Sequence, residues 1–85
     1  MRSLVALDIA REEWKKAERR LTDYLTIYPL QEEMNEILMQ VYADNGDTGK
    51  LSRHYAAFKL AYRQELGVEL PQKLHEKVVN WIEKN

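Results

Sequence analysis

Two apolar stripes joined by a three-residue turn constrain this chain more than anything else in it. They lie between Leu30 and Gly67. In the first half Met34, Ile37, Leu38, Val41 and Tyr42 recur at spacings of three and four. That spacing gathers them on one face of a helix with about 3.6 residues per turn. Glu32, Glu33, Glu36 and Gln40 form its back. In the second half Leu51, Tyr55, Phe58, Tyr62 and Leu66 share a face. Tyr28-Pro29 stops whatever precedes the pair, Asn45-Gly46-Asp47 turns the chain, and Leu66-Gly67 closes the second helix. So short a turn lets both stripes be buried only if the helices pack antiparallel.

Charge supports the same hairpin. Residues 31–47 carry five acidic side chains and no Lys or Arg. Residues 48–66 carry Lys50, Arg53, Lys59 and Arg63 against a single Glu65. Glu32 and Glu33 near a helix start, and Arg63 near a helix end, each suit the macrodipole by roughly 0.3–1 kcal/mol.

The flanking segments read as further helices. Over residues 12–28, Trp14, Ala17, Leu21, Tyr24, Leu25 and Tyr28 share a face, with Lys16, Arg20 and Asp23 away from it. Residues 3–10 form a short helix before it, and Asp8 to Arg11 allow either a break or one continuous helix. Pro at the residue after Tyr28 disfavours helix there. Asp47 or Thr48 serves as N-cap for residues 48–66, and Gly67 fits a left-handed C-terminal cap. Val68-Glu69-Leu70 is an extended connector. Pro71 suits the first turn of a last helix, 71–84, striped by Leu74, Val78, Trp81 and Ile82, with Lys73, Lys77, Asn80 and Lys84 opposite. Ala57, Leu60 and Ala61 make a second small face on the 48–66 helix, as a helix between two neighbours would have.

With 85 residues the chain is a single all-α domain, 1–85, of four to five helices in antiparallel hairpins. A chain this short buries about 60% of its extended surface, so its core is modest. Net charge is −1, which gives no electrostatic basis for direct contact with nucleic acid. There is no Cys, hence neither a disulfide nor a thiolate metal site. No apolar run approaches the ~18 residues of a membrane span, and a soluble cytoplasmic protein is expected.

Two resemblances add to this. Residues 11–30 look like the second helix of a tetratricopeptide repeat, through Trp14, Ala17, Leu21 and Pro29. Counting on by about 34 residues, the next unit begins near Glu32. It sets Leu38, Tyr42, Gly46 and Tyr55 where that family has Leu, Tyr, Gly and an aromatic. Leu51 replaces the usual Ala, and no Pro follows at Arg63. The resemblance implies a right-handed superhelical fragment whose first repeat is cut short at its amino end.

A closer resemblance covers nearly the whole chain. The stretch from Tyr28 through Leu38-Met39, Tyr42-Ala43, Gly46-Asp47 and His54-Tyr55 to Glu65-Leu66-Gly67-Val68-Glu69, then a Pro, is similar to the bacterial transcriptional activator domain. Asn35 departs from it where His is common, and Leu70 departs where a second Pro often stands. The resemblance implies a non-catalytic regulatory domain of a transcription regulator, in some cases a response regulator. Its winged-helix DNA-binding domain would lie outside this chain. Protein contacts would be with its own upstream domains, a second copy or the transcription machinery.

Little in the chain supports chemistry. His54 and His75 read as packed or edge side chains, and a metal site would need two or three converging ligands. Ser3 and Ser52 have no base near them in sequence. Gly46-Asp47-Thr48-Gly49 lacks the Lys and the preceding strand of a phosphate loop. No enzyme activity, cofactor or metal is expected. The repeat count makes Glu33, Glu36, Gln40 and Asp44 line an acidic groove. That groove disfavours an acidic peptide and suits a basic one, which is the alternative reading as a tetratricopeptide-type adaptor. Leu4, Leu7, Trp14 and Leu21 form an apolar strip expected to self-associate as a homodimer.

Overall fold

The computed structural model describes residues 11 and 13–84. Among these are four helices and no strand: α1 (Trp14–Ile27), α2 (Glu32–Asp44), α3 (Thr48–Leu66) and α4 (Gln72–Lys84). Each lies inside the span its apolar spacing gives it. The helix expected at 3–10, with Leu4 and Leu7, lies outside the described residues.

The helix ends follow from local chemistry. The Gln31 side chain accepts the Met34 amide at 2.7 Å and so caps α2, with Glu32 and Glu33 in its first turn. Asp47 caps α3 by accepting the Lys50 amide at 3.0 Å. Gly67 ends α3 with φ 71°, and its N–H donates to the Arg63 carbonyl at 2.8 Å. This left-handed cap is one that only Gly adopts at little cost. Gly46, φ 74°, makes the α2–α3 turn in the same way.

The architecture is an all-α, tetratricopeptide-like fragment built around α2. That helix packs against α1, α3 and α4, and α4 also packs against α3. A helix with three neighbours is buried nearly all round. Met34, Leu38, Met39, Val41, Tyr42 and Ala43 are all buried, with Asn35 among them. The single-stripe reading of α2 is therefore too narrow: Asn35, Met39 and Ala43 are inside as well. The other helices each give fewer buried residues, Ala17, Leu21 and Leu25 from α1, Leu51 and Phe58 from α3, Leu74 and Val78 from α4.

Three stripe residues are outside. Tyr28 is 55% exposed and Leu66 52%, because each sits at or past a helix end where no neighbouring helix reaches. Tyr28 instead lies against Tyr24, ring centroids 5.0 Å apart. Ile82, in the last turns of α4, is 39% exposed. The Ala57–Leu60–Ala61 face of α3 differs more sharply. Among the described residues no helix closes over it, and Leu60 is 57% exposed.

Candidate functional site

Polar side chains tie the helices at defined points. Asn35 is buried in α2 and saturated. Its amide nitrogen donates to the Pro29 carbonyl at 3.0 Å and to the Gln31 carbonyl at 2.8 Å. Its amide oxygen lies 2.8 Å from His54 Nε2 on α3. One buried side chain thus joins the α1–α2 loop, α2 and α3. Burial lowers the His54 pKa below its ordinary 6.5. The His54 ring also packs edge-on against Tyr42, centroids 6.2 Å apart.

A second tie sits at the amino ends of α1 and α3. Tyr42 Oη donates to Glu18 Oε2 at 3.1 Å, and Lys50 Nζ lies 3.4 Å from the same oxygen. Burial, and then the Glu18 carboxylate, push the Tyr42 phenol up to about 12. A third tie joins Tyr55 Oη on α3 to His75 Nδ1 on α4 at 2.8 Å. Tyr55 therefore turns toward α4. Both histidines have packing partners, and among the described residues no three His, Asp or Glu side chains converge on a metal site.

The residues expected to line an acidic groove all belong to α2. Glu33 and Glu36 are half-buried, while Gln40 and Asp44 are exposed. Glu36 is ion-paired with Lys77 of α4. The linear pattern sets Lys77 opposite the apolar stripe of its helix and does not show that α4 comes to rest beside α2. The pairing reduces the negative charge along this side of α2. On the amino-terminal strip, Leu21 is fully buried and Trp14 half-buried. Leu4 and Leu7 fall outside the described residues.

In the linear sequence Asn35 stands out only as a departure from a family pattern, and its partners do not show. A polar residue inside an apolar stripe was the available signal. The structure supplies its partners.

A family model for the bacterial transcriptional activator domain matches residues 1–78. The chain belongs to this family. The bacterial transcriptional activator domain match takes in α1 to α3, the Asn35–His54 pair and the acidic face, and it ends at the buried Val78 of α4. It makes the chain a regulatory domain of a bacterial transcription activator. No curated protein and no solved structure matches the chain. Among the described residues no helix is long and apolar enough to cross a membrane.

Proposed function

We propose that this domain is the non-catalytic, protein-contacting part of a cytoplasmic transcription activator. A winged-helix domain outside these residues reads DNA. The contacts of this domain, with its own upstream domains, a second copy or the transcription machinery, set whether transcription starts. In the response-regulator form of this architecture a receiver domain supplies the signal. The observation that carries the reading is the family match over residues 1–78. The packing of α2 supports it, since a helix held on three sides makes a stiff support for surfaces that bind other proteins. Contact with a second copy at the Trp14 end belongs to the same reading, and sedimentation equilibrium on the chain tests that part.

The test of the whole reading is in vitro transcription with the parent regulator, with and without residues 1–85. DNA binding retained and activation lost is the expected outcome. Activation unchanged by the deletion would sink it.

A second reading, an adaptor that holds a basic peptide against α2, draws on Glu33, Glu36, Gln40 and Asp44 lying along one helix. The Glu36–Lys77 pair weighs against it, because a basic ligand must displace Lys77. Calorimetric titration of a Lys-rich peptide into the chain distinguishes the two. Adaptor binding would tighten on Lys77→Ala.

A further inference from the structure

The carboxyl-terminal half of α3 presents an apolar row left largely open among the described residues. Ala57 is exposed, Ala61 half-buried and Leu60 57% exposed. Residues at these spacings form the stripe by which one helix packs on another. The two alanines let a partner helix come close.

Beside this row, between α1 and α3, lies a cleft of about 210 Å³. Its walls are Leu25, Pro29, Ala57, Phe58 and Ala61, over the Asn35–His54 pair. Asn35 spends its amide group on two carbonyls and His54, and the walls above the pair are apolar. A dry cavity of about 150 Å³ holds a benzene ring. The cleft therefore has room for one bulky apolar side chain.

Charge around the row is one-sided. The α3 sequence contains Lys50, Arg53, Lys59 and Arg63 against Glu65 alone. Lys50 is engaged by Glu18 and Arg63 by Glu69. Arg53 is exposed and makes no ion pair among the described residues. Arg53 stands one turn before Ala57. The acidic side chains of α2, by contrast, would repel an acidic partner.

We propose that the exposed face of α3 docks an acidic amphipathic helix of another protein. One bulky apolar side chain of that helix enters the α1–α3 cleft, and its carboxylates meet Arg53. This rests on the reading of the domain as a protein-contact module and names the class of partner and the surface it uses. Burial of the apolar row supplies the attraction, and the basic rim supplies selectivity and salt dependence.

The test is selection of random peptides, displayed on phage, against the 85-residue chain. The enriched sequences are expected to combine a bulky apolar residue with Asp and Glu at helical spacing. A synthetic peptide of that consensus should bind about tenfold or more weakly to Arg53→Glu, through lost and reversed rim charge. Ala57→Glu should abolish binding, and Glu83→Gln should leave it unchanged. All three positions are exposed, and circular dichroism confirms that the variants fold. Enriched basic peptides, or acidic ones indifferent to Ala57→Glu, would overturn this surface while leaving the contact-module reading standing. A dimer of the chain that Ala57→Glu dissolves would make a second copy the occupant and overturn the separate partner. Failure to enrich any peptide would count against both.

Discussion

Asn35 Oδ1 accepts the Nε2–H of His54 at 2.8 Å. The direction is forced, because the Asn35 amide nitrogen donates to the Pro29 and Gln31 carbonyls and leaves only its oxygen free. Asn35→Ala strands the Pro29 carbonyl and the His54 N–H. A buried group left unsatisfied costs about 1–3 kcal/mol. Urea unfolding should show at least that loss.

The same pair makes stability depend on pH. Burial lowers the His54 pKa below 6.5, its ordinary value and that of the unfolded chain. Between the two values the unfolded chain binds more protons. The contribution is therefore fully present above 6.5 and lost as pH falls through the folded value. Urea midpoints compared at about pH 7.5 and about pH 5.5 should fall, and the fall should shrink in His54→Gln. An equal fall in the variant would assign the effect to other groups.

Phe58 is the large ring that α3 commits to the core, 3% exposed. Phe58→Ala should cost about 3–5 kcal/mol, comparable with the whole stability of a domain of this size. Thermal melts that coincide with the wild type would show that the ring is not where α3 is held.

Gly67 tests backbone strain without packing. A Cβ added there meets nothing within 4 Å, so any cost comes from φ 71°. Gly67→Ala should lower stability by about 1 kcal/mol, and Gly67→Asn by less, since Asn tolerates the left-handed region. Denaturant midpoints rank the three.

The chain alone should give no discrete complex with duplex DNA in a gel shift at about 150 mM salt, where non-specific phosphate contacts weaken. Its net charge is −1, and its basic residues are divided among α1, α3 and α4. A sequence-specific complex would contradict this.

Helix periods, turn residues and caps were legible in the sequence because they are local. Spacings of three and four write each stripe, and Asp47 and Gly67 act within a few residues of themselves. The linear pattern could not show how many neighbours each stripe would meet. It gave α2 one buried face, but three helices close on it and draw in Asn35, Met39 and Ala43. It gave the Ala57–Leu60–Ala61 row a neighbour, but among the described residues no helix closes over it. The pairs Asn35–His54, Glu18–Tyr42 and Glu36–Lys77 join residues 19, 24 and 41 positions apart. Amphipathic periodicity fixes which side of a helix avoids water. Only the packing of all the helices together decides what lies against that side, and so which apolar and charged groups remain for a partner.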